Sequence, residues 1–134
     1  MAVQKTIHAQ VLTPEGAKFE GEVLGITVPG ASGSFKMLYN HAPIVSALDI
    51  GKVEIQMADG SELAFAVNGG FVEMNDNSVT LLAERAIEPV NINLAQAELD
   101  LKEAKARLKD PSVTHDEVER QIRVAKNLIT IGQG

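Results

Sequence analysis

Apolar and polar residues alternate in short segments over the first two-thirds of the chain. Residues 52–57 alternate strictly, and large apolar side chains recur at every second position of residues 63–67, beyond the dipeptide Asp59-Gly60. This period of two is typical of half-buried strands, and Asp-Gly between two such segments indicates a β-hairpin. Further strand-like segments, each bounded by turn residues, are 7–12, 22–28, 71–74 and 79–82. We therefore predict about eight strands in an antiparallel β-sandwich or barrel.

Three segments rich in turn-forming residues interrupt this pattern. Pro29-Gly30-Ala31-Ser32-Gly33-Ser34 predicts an irregular, flexible loop, and Asn68-Gly69-Gly70 predicts a break between two strands. Asn75-Asp76-Asn77 predicts a further turn. Each of these segments is taken as the end of one strand and the start of the next, which gives the predicted number of strands.

The last third of the chain changes to a helical period. Apolar residues recur there at spacings of three and four, the pattern of one buried helix face. Asn93 with Gln96, and Thr114 with Glu117, predict capping boxes at two helix starts. Asp110-Pro111-Ser112 ends the first helix, and so short a connection makes the two helices antiparallel. The predicted seam between them consists of Leu94, Ala97, Leu101, Ala104, Leu108, Val118, Ile122, Ala125 and Ile129.

Small residues in this seam predict a weakly held hairpin. Alanine occupies several seam positions, so the two helices can pack closely while burying little apolar area. We infer that the hairpin stays folded in more than one placement. Its second helix is predicted to be short and to end within residues 130–134.

Charge and glycine content divide the chain at one point. The 134-residue protein carries a formal net charge of −6, and all of this acidic excess lies before Asn91. Nine of the eleven glycines lie there too, and Pro89 disfavours a helical conformation at Glu88. We therefore predict a β-sandwich domain at residues 1–88 and a helical hairpin domain at residues 89–134.

Composition and motifs exclude several classes of function. Cysteine is absent, and an acidic chain with 4% aromatic residues is unsuited to binding nucleic acid. His8, His41 and His115 lie far apart and have no partner at metal-ligand spacing. The sequence contains neither a nucleophile elbow nor a complete phosphate loop. We therefore predict no catalytic residue, no metal and no cofactor.

An interaction protein remains, and its hairpin cations have two interpretations. In one, they form intrahelical pairs with nearby glutamates, each pair contributing about 0.3 kcal/mol. In the other, some of them dock on an acidic partner surface. Two rival classes stay open. One is a free-standing regulator or ligand-binding β-sandwich that dimerises through the hairpin seam, and the other is a small sandwich enzyme with an acidic pocket. The cations are Lys102, Lys105, Arg107, Lys109, Arg120, Arg123 and Lys126.

Four segments, taken in order, resemble one protein family. Val11-Leu12-Thr13-Pro14-Glu15-Gly16 is similar to its opening strand and turn, and Gly33 followed by His41-Ala42-Pro43-Ile44 is similar to its most recognisable loop. Asn68-Gly69-Gly70-Phe71-Val72-Glu73 and Asn77-Ser78-Val79-Thr80-Leu81-Leu82-Ala83-Glu84-Arg85-Ala86 are similar to its last strands. Followed by a helical hairpin, these segments resemble the epsilon subunit of F-type ATP synthases over essentially the whole chain.

This resemblance implies a non-catalytic rotor subunit of the central stalk. Its implied partners are the gamma subunit, the c-ring and the catalytic beta subunit, with the alpha subunit as a further one. The β domain would touch gamma and the c-ring, and a contact loop would consist of Gly33, His41, Ala42, Pro43 and Ile44. The hairpin would extend along gamma and restrain ATP hydrolysis. The cations that would face the beta subunit are Lys105, Arg107, Lys109, Arg120, Arg123 and Lys126.

The resemblance also implies a location. We expect a peripheral protein at the cytoplasmic face of a bacterial inner membrane, held there only through the assembled complex. The opening residues show no signal or transit segment, which favours a bacterial origin. Whether the complex couples ATP synthesis to H⁺ or to Na⁺ stays open.

Two segments depart from the family pattern. The family's loop carries an acid and a glycine where this chain has Ser34 and Lys36. Some members bind ATP through an Ile/Leu-Asp-x-x-Arg-Ala motif, whose acid and cation are both missing here. The corresponding residues are Ile92, Asn93, Gln96 and Ala97. Arg123 matches a family cation of the second helix, but its companion is Asn127, so we predict weak or no nucleotide binding.

Overall fold

The polypeptide folds as two units, Met1–Ala86 and Ile87–Gly134, in a computed structural model that describes residues 5–134. Residues 1–4, where the opening segment begins, lie outside the described residues. The division falls two residues before the predicted boundary between residues 88 and 89. The strands are β1 (Ile7–Thr13), β2 (Gly16–Gly30), β3 (Gly33–Leu38), β4 (Ile44–Met57), β5 (Glu62–Asn75), β6 (Ser78–Ala83) and β7 (Ala86–Ile87).

Strand β1 closes the sheet because it pairs with two strands at once. It runs antiparallel to β2 and parallel to β6. The other neighbours follow the order β6-β5-β4-β2-β3, and these pairs are antiparallel. The ring β1-β6-β5-β4-β2 therefore encloses one core, which confirms the predicted β-sandwich or barrel.

Alternation along the strands decides which side chains fill this core. On β1, Ile7, Ala9 and Val11 are fully buried, whereas the residues between them are only half-buried. No polar or charged side chain is buried among residues 5–134, so apolar burial dominates the stability of the unit. Other core residues are Val23, Ile26, Val28, Met37, Val53, Ile55, Phe65, Val67, Val72, Met74, Val79 and Leu81.

The predicted loop at residues 29–34 is wrong, because this segment is a tight hairpin. Gly30 pairs with Gly33, so only Ala31 and Ser32 lie between β2 and β3. Pro29 is the second-last residue of β2 and is buried, and a Cβ atom on Gly51 would lie 2.6 Å from its Cβ atom. The Pro-Gly composition indicated a loop, but cross-strand pairing and packing keep the segment extended.

The predicted break at Asn68-Gly69-Gly70 is also wrong, because β5 continues through it. Gly69 and Gly70 have φ values of 100° and 138°, which side-chain-bearing residues rarely adopt. A Cβ atom on Gly70 would lie 1.9 Å from the carbonyl oxygen of Leu82 on β6. Glycine therefore allows one strand to bend while it stays paired, which lowers the strand count from about eight to seven in the described residues.

Two predicted hairpin turns are confirmed. Asn75 pairs with Ser78, and the residues between them, Asp76 and Asn77, have φ values of 48° and 59°, as a type I′ turn requires. At the β4–β5 turn, the Asp59 carboxylate accepts hydrogen bonds from the Ser61 hydroxyl and backbone N–H. These bonds hold the pKa of Asp59 below its usual value.

The second unit begins with one turn of 3₁₀ helix at Pro89–Asn91, followed by α1 (Leu94–Arg107) and α2 (His115–Gln133). The Asn93 carboxamide caps α1 by accepting a 3.0 Å hydrogen bond from the backbone N–H of Gln96. The second predicted capping box is wrong, because the side chain of Thr114 makes no capping hydrogen bond. Helix α2 ends at Gln133, within the predicted segment 130–134, but with 19 residues it is longer than the 14-residue α1 and is not short.

The seam of the hairpin follows the predicted spacing over most of its length. Ala97, Ala104, Val118 and Ala125 are buried, and the predicted leucines of α1 are half-buried. Near the end of α2 the buried residues are Leu128 and Ile131, whereas the predicted Ile129 is only half-buried. The last turns of α2 contact the 3₁₀ turn as well as α1, so their buried face is displaced from the seam.

Candidate interaction surfaces

Three large apolar side chains on neighbouring strands face solvent in the first unit. Val45 on β4, Phe71 on β5 and Leu82 on β6 are 72%, 59% and 53% exposed. Phe71 lies directly opposite Leu82 across the β5–β6 ladder and opposite Ala47 across the β4–β5 ladder. We call these three side chains the apolar patch. Exposed side chains of this size on adjoining strands indicate a surface that another molecule covers.

Sequence reasoning missed the apolar patch although the strand period contains a signal for it. Val72 and Met74 point into the core on β5, so Phe71 belongs to the outward set of positions. On β6, Val79 and Leu81 are buried in the same way, which leaves Leu82 outside. A large apolar residue in the outward phase of a strand is therefore a sequence signal of an exposed apolar site.

An open groove of about 410 Å³ adjoins the patch on the side of the β1–β2 turn. Its lining includes Leu12, Pro14, Phe71 and Leu82, with the carboxylate of Glu84 at its border. On the other side, Pro43 and Val45 line a shallower depression together with Glu73. The apolar surface therefore extends beyond the three patch residues, and acidic side chains border it.

The structure separates the members of the predicted contact loop into two places. Ile44 begins β4 and pairs with Met74, so residues 41–44 adjoin the apolar patch. The backbone N–H of His41 donates a 3.0 Å hydrogen bond to the carbonyl of Leu38, where β3 ends. Gly33 lies at the opposite end of β3, about 17 Å away at the usual rise per residue. The turn beside Gly33 nevertheless contacts β4, because the backbone N–H of Ala31 donates a 2.9 Å hydrogen bond to the carbonyl of Ala47, three residues after Ile44.

The end of the unit that carries Gly33 presents small and polar groups. Ala31, Ser32, Gly33 and Ser34 are all exposed on the two-residue turn and its flanks. Lys36 is exposed further along β3. The turn itself carries no large apolar side chain, so a partner that binds there would bury less apolar area than a partner that binds the apolar patch.

The comparisons with known proteins identify the family. The model of the ATP synthase delta/epsilon chain β-sandwich domain matches residues 6–89, which is more than half of this chain. The chain belongs to the ATP synthase epsilon chain family.

Curated relatives support this placement over most of their length. The epsilon chain of Priestia megaterium is 41% identical over 104 residues, which cover 78% of this chain and 77% of the relative. The epsilon chain of Exiguobacterium sp. is 32% identical over 124 residues, which cover 92% of this chain and 91% of the relative.

Solved structures share the epsilon fold. A chain of the Euglena gracilis mitochondrial ATP synthase, in a structure of OSCP, F1 and c-ring, has a TM-score of 0.85 at 20% identity. That alignment covers 97% of this chain and 83% of the other. A chain of the Tetrahymena thermophila central stalk and c-ring has a TM-score of 0.62 at 16% identity and covers 98% and 99%. At these identities the likeness shows the fold alone.

The hairpin exposes all six cations that the family resemblance places opposite the beta subunit. Arg107 donates a hydrogen bond to the Gln121 carboxamide, which links the end of α1 to α2. Lys109 follows α1 in the connection, where the Asp110 carboxylate accepts bonds from the Ser112 hydroxyl and N–H. These two bonds lower the pKa of Asp110. The remaining exposed cations are Lys105, Arg120, Arg123 and Lys126.

The residues at the nucleotide-motif positions already have structural roles. The Asn93 side chain caps α1, and the Gln96 carboxamide donates a 2.8 Å hydrogen bond to Asp100. Ile92 is half-buried, and a Cβ atom on Gly132 would lie 3.0 Å from its Cγ2 atom. Ala97 is buried in the seam. These contacts leave no charged side chain at the motif positions to recognise a phosphate.

The histidines and the helices carry no further site in the part of the chain that the structure describes. The two ring nitrogens of His8 lie 3.0 Å from a Glu20 oxygen and 3.5 Å from a Glu22 oxygen, on an exposed surface. No group of three metal-ligating side chains occurs within residues 5–134. None of the helices in that range is long and apolar enough to cross a bilayer.

Proposed function

We propose that this chain is the rotor subunit that joins gamma to the c-ring, and that gamma packs on the apolar patch. The exposure of Val45, Phe71 and Leu82 carries this proposal. Burying them would remove roughly 300 Å² of apolar surface from water, a gross gain of about 8 kcal/mol at 25 cal/mol per Å². A permanent complex needs a larger interface, so the adjoining groove and residues 41–44 would form its border.

The residues that border the apolar patch indicate which charge the partner surface would carry. Glu73 and Glu84 are exposed beside the apolar side chains, and the domain as a whole carries the chain's acidic excess. A matching gamma surface would have an apolar centre with basic residues around it. Acidic groups at the border favour the correct register of docking and contribute less to affinity than the apolar centre.

The c-ring would meet the β2–β3 turn of the β domain. The exposed turn of Ala31 and Ser32, with Gly33 and Ser34 beside it, has the small side chains that suit a surface lying close to a ring of loops. Contact through the turn residues leaves the side chains of the apolar patch available to gamma. The subunit would then associate with the membrane only through the complex, at the cytoplasmic face of a bacterial inner membrane.

The helical hairpin would restrain ATP hydrolysis by the catalytic beta subunit. Its six exposed cations supply charge for an acidic partner surface, and its seam joins α1 to α2, so the hairpin would change placement as one piece. Two placements within a few kcal/mol of each other are sufficient for such a switch, since differential contacts then decide the population. The alpha subunit would be a further neighbour of the extended hairpin.

The experiment that tests the gamma interface is a binding measurement with surface variants. We expect the double variant Phe71→Ser, Leu82→Ser to bind purified gamma at least about tenfold more weakly than the wild type. Its unfolding free energy should fall by about 1–3 kcal/mol, because the buried parts of both side chains and their cross-strand contact are lost, so the binding is measured where the variant is shown to be folded. The matched control is Leu38→Ser, a similarly exposed leucine on β3 outside the patch.

Sedimentation with and without gamma separates this proposal from a free-standing regulator. The wild type should sediment as a monomer alone and as a one-to-one complex with gamma. A stable homodimer with no affinity for gamma would instead support dimerisation through the hairpin seam. Equal binding of gamma by the wild type and the double variant would show that gamma uses another surface.

The regulatory part needs its own assay in the assembled enzyme. We expect the variant Lys105→Glu, Lys126→Glu to raise the rate of ATP hydrolysis, and removal of residues 110–134 to raise it further. Lys18→Glu, Lys52→Glu is the matched control, because these exposed lysines lie on the β domain. An unchanged rate in both hairpin variants would contradict a restraining hairpin.

A further inference from the structure

Two asparagines far apart in the sequence are joined by hydrogen bonds at the start of the β3–β4 connection. The backbone N–H of Asn40 donates a 2.6 Å bond to Oδ1 of Asn77, and Nδ2 of Asn77 lies 3.4 Å from Oδ1 of Asn40. Both residues have left-handed backbones, with φ values of 64° and 59°. Asparagine tolerates this conformation better than most residues with a side chain. We call this pair the asparagine clasp.

The clasp acts on a segment that the sheet does not fix. Leu38 is held by its pairing with Gly25, and Ile44 by its pairing with Met74. Residues 39–43 between them have no ladder partner. The clasp ties this segment to the β5–β6 turn, and Lys5 Nζ lies 5.4 Å from the centre of the Tyr39 ring beside it. Tyr39 and Asn40 are therefore anchored, and the anchored chain leads directly into residues 41–43.

We propose that Asn40 and Asn77 are positioning residues, whose clasp holds His41, Ala42 and Pro43 in the conformation that gamma binds. This inference rests on the proposed docking of gamma against the apolar patch, which residues 41–44 adjoin. The two asparagines need not touch gamma themselves. Without the clasp, these residues would sample other conformations, and binding would then include the cost of ordering them.

The variant Asn77→Gly isolates the side-chain contact from the turn. Glycine adopts the left-handed conformation freely, and Asp76 followed by glycine is a favoured type I′ pair, so the hairpin keeps its turn. Asp76→Gly is the matched control, since it changes the neighbouring turn residue without removing either clasp bond. Asn77→Asp keeps an oxygen acceptor for the Asn40 N–H and serves as the conservative variant.

Two readouts test the clasp in the full-length chain. We expect the amide hydrogen of Asn40 to exchange about tenfold faster in Asn77→Gly, while core amides such as that of Val72 are unchanged. We expect the affinity for purified gamma to fall about three- to tenfold in the same variant. Asp76→Gly should match the wild type in both measurements, and Asn77→Asp should recover most of each loss.

Each result supports or overturns the proposal. Faster exchange at Asn40 with weaker gamma binding supports it. Unchanged exchange shows that the clasp does not order the segment. Faster exchange with unchanged affinity shows that the ordering has no role in binding, while the proposed gamma interface stands. A wild-type chain that fails to bind gamma overturns both the interface and the role of the clasp.

Discussion

Substitution of Gly70 by alanine should destabilise the β domain more than any other glycine substitution in a turn or bend. Gly70 has a φ of 138°, and its Cβ atom would lie 1.9 Å from the Leu82 carbonyl oxygen and 2.9 Å from the Ala83 Cα atom. Both contacts are to backbone, so no side-chain rotation relieves them. Strand β6 would have to move away by about 1 Å, and the ladder between Gly70 and Ala83 would open.

The magnitude follows from two contributions. An L-residue at this φ costs about 1–3 kcal/mol, and loss of about two ladder hydrogen bonds adds about 2 kcal/mol. We expect a total of about 3–5 kcal/mol, a large fraction of the stability of an ordinary domain. Gly60→Ala is the matched control: Gly60 also has a positive φ, but no atom lies within 4 Å of its Cβ position. The control should cost only the conformational part, about 1–2 kcal/mol.

The assay is urea unfolding followed by amide NMR signals of β5 and β6, so that the helical unit does not contribute. Gly70→Ala should have a much lower midpoint than Gly60→Ala, which should lie closer to the wild type. If the two variants unfold at the same urea concentration, the close approach of β5 and β6 at Gly70 does not limit stability. The explanation of the bent, continuous strand would then be wrong.

Three further predictions concern the helical unit. Calorimetry should detect no micromolar binding of ATP, because Asn93 and Gln96 are uncharged and already hydrogen-bonded; a micromolar affinity would contradict this expectation. Asp110 has a lowered folded-state pKa, so its contribution to stability is complete above about pH 4 and disappears as the pH falls through that lowered pKa. The urea midpoints of the wild type and Asp110→Asn should therefore converge in acid, and a constant difference would refute the assignment. Gly132→Leu should destabilise the hairpin by about 1–3 kcal/mol, because even a Cβ atom at this position would lie 2.8 Å from Leu94 Cδ2. The same urea titration, followed by NMR signals of α2, measures this change. Unchanged stability would show that the packing around Gly132 is loose.

Strand period and turn chemistry made most of the β domain predictable. The alternation around Asp59-Gly60 correctly predicted the β4–β5 hairpin, because both signals are local in the sequence. The segment at residues 29–34 was not predictable in the same way. Its Pro-Gly composition is common in loops, and only the pairing of Gly30 with Gly33 and the packing of Pro29 make it extended.

The candidate surfaces also differ in whether local sequence signals predict them. Phe71 and Leu82 could be assigned to the outside from the strand period alone, once the buried phase of each strand is known. The asparagine clasp could not be predicted, since Asn40 and Asn77 are 37 residues apart and nothing local indicates their contact. The contact of the β2–β3 turn with Ala47 of β4 is likewise non-local and could not be predicted from the loop-like composition of residues 29–34.

The hairpin shows how tertiary contact changes a helical pattern. Spacings of three and four correctly predicted the buried Ala97, Ala104 and Ala125. The pattern did not predict the burial of Ile131, because the last turns of α2 also contact the 3₁₀ turn before α1. A periodic pattern of apolar residues therefore indicates which helix face is buried. It does not indicate where contact with a third element buries additional residues.

Site-specific photocrosslinking in the assembled enzyme distinguishes the surface that binds gamma from the surface that meets the c-ring. A benzophenone amino acid in place of Val45 probes the apolar patch, and the same residue in place of Ser32 probes the β2–β3 turn. We expect the Val45 position to crosslink to gamma and the Ser32 position to crosslink to subunit c. Failure of the Val45 position to reach gamma, or its crosslinking to subunit c instead, would contradict the account.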